Sequence, residues 1–133
     1  MYTVSKTFSF SYGHRLLNDE GRCRNLHGHT GRATIVLARD TLDTSGMVCH
    51  FDRLKETIGA WIHDHLDHTL LLNKEDPLTT LLAGAGEPFL ATEGNPTAER
   101  IAELILERAR AFELPVHAVD VWESESSKAT VTA

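Results

Sequence analysis

An α+β fold is predicted by three features of this 133-residue sequence: alternating apolar and polar residues near both ends, two stretches of helical spacing between them, and no repeat or low-complexity tract. The elements follow in the order strand, strand, helix, helix, strand, strand (ββααββ). Two hairpins carrying two helices predict an antiparallel four-stranded sheet covered on one face. The edge strands of such a sheet could pair with neighbours to close a larger barrel.

From Tyr2 to Tyr12 the even positions are Tyr2, Val4, Lys6, Phe8, Phe10 and Tyr12, and the odd ones are Thr3, Ser5, Thr7, Ser9 and Ser11. That alternation predicts a strand with one buried face. Residues 13 to 28 carry Gly13, Gly21, Gly28 and several charges and read as a loop. Ala33, Ile35 and Leu37 then alternate with Arg32, Thr34 and Val36 as a second strand. Asp43-Thr-Ser-Gly46 is turn chemistry. Leu54, Ile58, Trp61, Ile62 and Leu66 recur at helical spacing, which predicts a helix over residues 51–65. Residues 73 to 96, with Pro77, Pro88 and Pro96, read as a long connection with one short helical turn at 78–83. Asn95-Pro96 has the pattern of an N-cap followed by proline in the first turn, and Ile101, Leu104, Ile105, Ala109 and Phe112 continue a second amphipathic helix. After Pro115, Val119 and Val121 alternate with Asp120 and Trp122, and the run 129–133 is rich in Thr and Val.

Length and balance (41% apolar, 24% charged) fit one compact domain over residues 1–133. A domain this short encloses a substrate more easily between subunits than within one, so oligomerisation is expected. A net charge of -6 argues against general nucleic-acid binding, which relies on Lys and Arg at phosphates. No stretch has the roughly 20 apolar residues that a membrane span needs, and the N-terminus lacks the apolar block of a signal peptide. A cytoplasmic protein is expected. Cys23 and Cys49 could form one bridge, but in such a setting free thiols are favoured.

Among eight histidines, His27 and His29 flank Gly28, a spacing that puts both imidazoles on one side of an extended backbone. His14 ends the first strand, so a hairpin could bring three imidazoles to one ion. Three nitrogen ligands with an open fourth position is the donor set of a catalytic zinc site. The same tripeptide also suits a polar turn, and spacing alone leaves both readings open. His63, His65 and His68 read better as solvated residues around an apolar helix stripe. Cys23 lies between Arg22 and Arg24, four residues before His27. Flanking cations and a nearby metal favour the thiolate, the form that accepts a proton, whereas without a metal an inert loop thiol is preferred. Cys49 reads as a small buried apolar residue. Asp67-His68 could form an acid–base relay. Glu123 shares strand parity with Val119 and Val121, so it is either an edge residue or a buried carboxylate able to accept two parallel N–H donors from a ligand.

Taken together, Ser11-Tyr-Gly-His14-Arg15, Cys23-Arg-Asn-Leu-His27-Gly-His29, Gly46-Met-Val48 with Phe51 and Leu54-Lys55, Leu66-Asp67-His68, Asn95-Pro-Thr-Ala-Glu99 and Val121-Trp-Glu123-Ser124 resemble the 6-pyruvoyltetrahydropterin and 6-carboxytetrahydropterin synthase family, which has the tunnelling fold. The motifs keep the family's order and span nearly the whole chain. Pyruvoyl-forming members typically carry a longer spacer between the cysteine and His-Gly-His; here Arg24, Asn25 and Leu26 are the entire spacer, as in 6-carboxy members. Cys23 also separates this chain from a branch with glutamate at that position.

The resemblance implies a lyase of queuosine-type 7-deazaguanine biosynthesis that converts 7,8-dihydroneopterin triphosphate to 6-carboxytetrahydropterin, acetaldehyde and triphosphate. It implies zinc on His14, His27 and His29, Cys23 as the base, Asp67 and His68 as proton relay, Glu123 on the pterin's amino-pyrimidine edge, and Thr97 as an added hydrogen bond. It also implies a homohexamer of two stacked trimers with sites between subunits. Arg22, Arg24, Lys6 and Lys128 are candidates for triphosphate contacts. Two departures stand out: His50 occupies a position where relatives often have Asp or Asn, and the connection from Asp76 to Glu93 is longer than in compact members. The alternatives are a 6-pyruvoyltetrahydropterin synthase and a non-catalytic zinc- or pterin-binding protein.

Overall fold

A computed structural model describes residues Met1–Ala133. Strands β1 (Tyr2–His14) and β2 (His27–Arg39) form a long antiparallel hairpin, in register from Tyr2 opposite Arg39 to His14 opposite His27. β5 (Val116–Trp122) pairs antiparallel with β2, and β6 (Lys128–Thr132) pairs antiparallel with β5. These are the four predicted strands.

The α+β class holds, but the expected four-stranded antiparallel sheet is corrected to a six-stranded mixed one. β3 (Thr69–Asn73) runs parallel to the end of β1, and β4 (Leu90–Thr92) runs parallel to β3. The order is β4-β3-β1-β2-β5-β6. β3 shows no alternation because Leu71 and Leu72 are both fully buried, the continuous apolar run of a strand covered on both sides. Its five residues follow a helix after a three-residue turn, and its partner is the backbone of Tyr12–His14, which no side-chain pattern marks.

The predicted helix over residues 51–65 is continuous: α1 (Phe51–Leu54) passes through a π-helical segment (Lys55–Gly59) into α2 (Ala60–His65). Leu54, Ile58, Trp61, Ile62 and Leu66 are all buried, as their spacing predicts. Gly59 sits where the helix backbone rests on β1; a Cβ there would stand 2.6 Å from Cε1 of Phe8. His50 caps this helix, its Nδ1 accepting the Asp52 N–H at 3.1 Å, which is the task an Asp or Asn performs at an N-cap. The long connection holds α3 (Leu78–Ala85), longer than the single turn expected and without a buried residue, together with β4.

Helix α4 (Ala98–Ala111) is capped by Thr97, not by Asn95 as the sequence pattern suggested; Thr97 Oγ1 accepts the Arg100 N–H at 3.2 Å. Both long helices cover one face of the sheet. Phe10 and Tyr12 of β1, Ala33, Ile35 and Leu37 of β2, and Val119 and Val121 of β5 meet Leu54, Ile58 and Ile62 from one helix and Ile101 and Ile105 from the other. Ser5, Ser9, Ser11 and Arg32, at the opposite parity, are exposed.

A part-buried ion pair ties the end of β1 to the long connection. Arg15 donates from Nε to Asp76 Oδ2 at 2.7 Å and from Nη2 to Oδ1 at 2.5 Å, and Oδ1 also accepts the Leu78 N–H at 2.9 Å. The Asp76 side chain is fully buried while Arg15 is about a quarter exposed. The Arg15 guanidinium holds the Asp76 carboxyl below the usual carboxylate range. A carboxyl depressed in the folded state stabilises the fold above its unfolded value of about 3.9, and that contribution is lost as pH falls through the folded value. Asp76→Asn should therefore cost on the order of 3 kcal/mol at pH 7, since it breaks the pair and leaves Arg15 without its counter-charge. The gap between variant and wild type should narrow in acid. Urea midpoints at neutral and acid pH measure both, and equal midpoints at pH 7 would refute this role.

Candidate functional site

The core face of the hairpin ends in histidine. His14 and His27 are directly opposed across β1 and β2, and His29 is opposed to Tyr12 one pair further along the same face. Gly13 and Gly28, which look like loop residues in the sequence, are paired strand residues facing each other between these positions. A Cβ on Gly28 would lie 3.2 Å from the Tyr12 carbonyl oxygen, so glycine lets the strands approach here. The ring centroids of His14, His27 and His29 lie 4.5, 5.1 and 5.1 Å apart. One nitrogen from each falls within 4.8 Å of the others, which makes this trio the group able to converge on one ion.

The backbone selects which nitrogens face inward. His14 Nδ1 donates to the Pro96 carbonyl and His27 Nδ1 to the Asn25 carbonyl, each at 2.7 Å. Both Nε2 lone pairs are thereby freed, the arrangement by which outer partners orient metal-binding imidazoles. His14 is 2% exposed, and burial pushes its imidazole below the ordinary histidine value, with the Pro96 hydrogen bond opposing. The neutral form that burial favours is the one with a lone pair to give. His29 Nε2 is buried and has no hydrogen-bond partner in the chain. An unpartnered ring nitrogen beside two oriented imidazoles fits a metal ion, and an all-imidazole donor set fits zinc.

The trio opens into a cavity of 460 Å³ whose lining also includes Cys23, Thr97, Glu123 and Lys128. Cys23 sits in a short 3-10 turn, Arg22–Arg24, and is exposed; both cysteines are free. Glu123 follows β5 at the parity of Val121, with Oε1 4.0 Å from His14 Nε2 and its side chain about one-third exposed. Thr97 uses its oxygen as the helix cap, which leaves its hydroxyl hydrogen free to donate. Lys128 Nζ lies 5.2 Å from the Trp122 ring centroid and 4.0 Å from Asp120 Oδ1. Lys6, Arg22 and Arg24 do not line this cavity. Tyr12 packs beside the trio with its hydroxyl buried and unpartnered; burial first, and then the Glu123 charge, push the phenol well above its ordinary value, so it stays protonated.

Asp67 and His68 form their own pair. Asp67 Oδ1 accepts the Ser11 N–H at 2.8 Å, and Oδ2 lies 3.0 Å from His68 Nδ1. The Ser11 N–H and then His68 hold the Asp67 carboxyl below its usual value. His68 adopts φ 57°, and its N–H donates to the Ser11 carbonyl at 2.6 Å, while its exposed ring meets Asp67. Yet His68 lines a different, open cleft, together with Ser11, Gly13, Gly28 and Thr30, residues at the parity opposite to His14, His27 and His29. The two clefts meet at His27 and His29, but Cys23 lines only the first and His68 only the second. His65 stacks on Trp61, and His63 lies 3.9 Å from Asp67, both away from the trio.

Pro96 and Asn95 were not singled out as site residues by the sequence. Pro96 acts through its carbonyl, which carries no sequence signal, and Asn95 resembled a helix cap.

Comparison with known proteins finds relatives along nearly the whole chain. The family model described as 6-pyruvoyl tetrahydropterin synthase matches residues 3–133. A 6-carboxy-5,6,7,8-tetrahydropterin synthase of Haemophilus influenzae is 31% identical over 96% of this chain and 96% of its own length. One of Synechocystis is 34% identical over 97% and 92%. Among solved structures, an uncharacterized protein of Wolinella succinogenes superposes with a TM-score of 0.82 at 26% identity, covering 98% of this chain and 97% of its own. The 6-pyruvoyl tetrahydropterin synthase of Caenorhabditis elegans shares the fold, with a TM-score of 0.72 at 23% identity over 99% and 95%.

Proposed function

The chain belongs to the 6-pyruvoyl tetrahydropterin synthase family, and from that membership we propose that it is a zinc-dependent 6-carboxy-5,6,7,8-tetrahydropterin synthase of queuosine biosynthesis. Its substrate is 7,8-dihydroneopterin triphosphate, and it releases acetaldehyde and triphosphate. The observation that carries this reading is the match, along nearly the whole chain, to relatives bearing that name.

His14, His27 and His29 would hold the zinc, a role supported by their convergence and by the unpartnered His29 Nε2. When bound, zinc would supply Lewis-acid stabilisation of negative charge on the substrate's side-chain oxygens. Cys23, on the same cavity, removes a side-chain proton. Asp67, kept ionised by the Ser11 N–H, orients His68 so that the imidazole can pass protons. Glu123 accepts two N–H donors from the amino-pyrimidine edge of the pterin, and Thr97 donates its free hydroxyl hydrogen. Lys128 contributes positive charge for the triphosphate.

The separation of Cys23 from His68 supports active sites between subunits: a second copy supplies His68 to the cavity that holds Cys23. An apolar groove lined by Tyr2, Leu42, Met47 and Phe51, all partly exposed, also favours assembly. The assembly is a hexamer of two stacked trimers working in the cytoplasm. Light scattering should return six chains, and a stable, active monomer would overturn this.

Mass spectrometry of the products from dihydroneopterin triphosphate tests the activity. The carboxy product with acetaldehyde is expected, and absence of both would sink the assignment. A second reading, formation of the 6-pyruvoyl product, is favoured by the family's description; it would appear as that product without acetaldehyde. Pterin binding without turnover would identify a binding protein instead.

A further inference from the structure

The twelve residues between β1 and β2, 15–26, carry Cys23 and bury none of their side chains. Such a loop has little packing to hold it, so its backbone hydrogen bonds decide where the thiol lies. Three of its first residues are tied down. Arg15 is paired with Asp76, as described above. Leu16 donates its N–H to the Cys23 carbonyl at 2.8 Å. Leu17 is gripped at both polar backbone groups by one side chain: its N–H donates to Asn95 Oδ1 at 2.8 Å, and its carbonyl accepts from Asn95 Nδ2 at 3.1 Å. Asn73 Nδ2 donates to the same Oδ1 at 3.2 Å and fixes the carboxamide's orientation.

We infer that Asn95 is a positioning residue for Cys23, acting through Leu17 and the Leu16–Cys23 hydrogen bond. Its carboxamide reproduces for Leu17 the two bonds of a strand pairing, while the sequence gives that loop no strand partner. The placement has a further consequence. Pro96, next in the chain, orients His14 through its carbonyl, and Thr97 caps α4 at the cavity wall. The loop with Cys23 is thereby fixed against the same short stretch that fixes a proposed zinc ligand. The thiol and the metal site are registered to one backbone reference, which is what a proton transfer sensitive to shifts of about 1 Å requires.

This inference rests on Cys23 being the base, and its test separates the two claims. In the zinc-loaded full chain, residue-resolved hydrogen exchange is compared between wild type and Asn95→Ala. Loss of the two bonds should speed Leu17 amide exchange by about tenfold or more, each bond being worth roughly 1 kcal/mol. The Leu16 amide, bonded to Cys23, should speed up with it. Turnover should fall by about tenfold in kcat, with KM and zinc content changed by less than about threefold, because neither metal nor substrate contacts are removed. Should Asn95→Ala fail to fold, Asn95→Asp keeps an oxygen for the Leu17 N–H but replaces the donor with a carboxylate oxygen that repels the Leu17 carbonyl, so the same signature is expected. A Leu16 amide that stays protected while Leu17 opens would overturn the inference, as would unchanged kcat in a variant whose Leu17 amide has opened. Turnover persisting in Cys23→Ala would instead remove the base assignment and leave the exchange result standing.

Discussion

Replacing His27 with alanine is expected to strip the protein of stoichiometric zinc and to abolish turnover. His27 is one of three imidazoles whose nitrogens lie within 4.8 Å of one another, and its Nδ1 is committed to the Asn25 carbonyl, which leaves Nε2 as the donor. Loss of an outer partner typically costs metal affinity about 10- to 100-fold, and loss of the donor itself should exceed that. Elemental analysis after dialysis should read one zinc per chain for wild type and well under that for the variant. The fold should survive, because His27 is only partly buried and lies at the end of the sheet, outside the apolar core. A His27→Ala protein that keeps one zinc per chain would refute the ligand assignment.

Cys23→Ala should give the complementary result: a folded protein with full zinc and a rate reduced by about 10² to 10⁴, the usual contribution of a positioned proton acceptor. Cys23 is exposed and sits in a turn without a buried residue, so stability should barely change. The pair of variants separates metal binding from proton transfer, since one loses both and the other only the second. Turnover at the wild-type level in Cys23→Ala would take the thiol out of the mechanism.

Much of this arrangement was legible in the residues, because side-chain periodicity records burial. The alternation around Phe10 and Tyr12, and around Ala33, Ile35 and Leu37, fixed both the hairpin and its inner face, and His27-Gly-His29 carried its own chelate geometry. What stayed hidden works through the backbone. β3 joins the sheet by main-chain bonds to Tyr12–His14, and Leu71 and Leu72, buried together, show no period of two. Gly13 and Gly28 read as loop punctuation, yet they are opposed strand residues, so both strands reach further than the side chains suggested. Asn95 before proline looks like a helix start, but the chain begins its helix two residues later and spends the carboxamide on Leu17. Asp67 and His68 were found as a pair; that they open away from Cys23 follows from strand parity in three dimensions, not from their spacing.

The hairpin register has a consequence for how this site can diverge. All three proposed zinc ligands fall between residues 14 and 29, on two strands joined by one loop, whereas Thr97, Glu123 and Lys128 arrive from the distant second half of the chain. The side chains that hold the ion and those that choose what is held beside it are thus encoded in separate stretches, which meet where the Pro96 carbonyl orients His14. Substitutions in the later stretch can change the shape and charge of the accepted molecule while the earlier one goes on binding metal. A scaffold divided in this way can try new substrates without first giving up its metal.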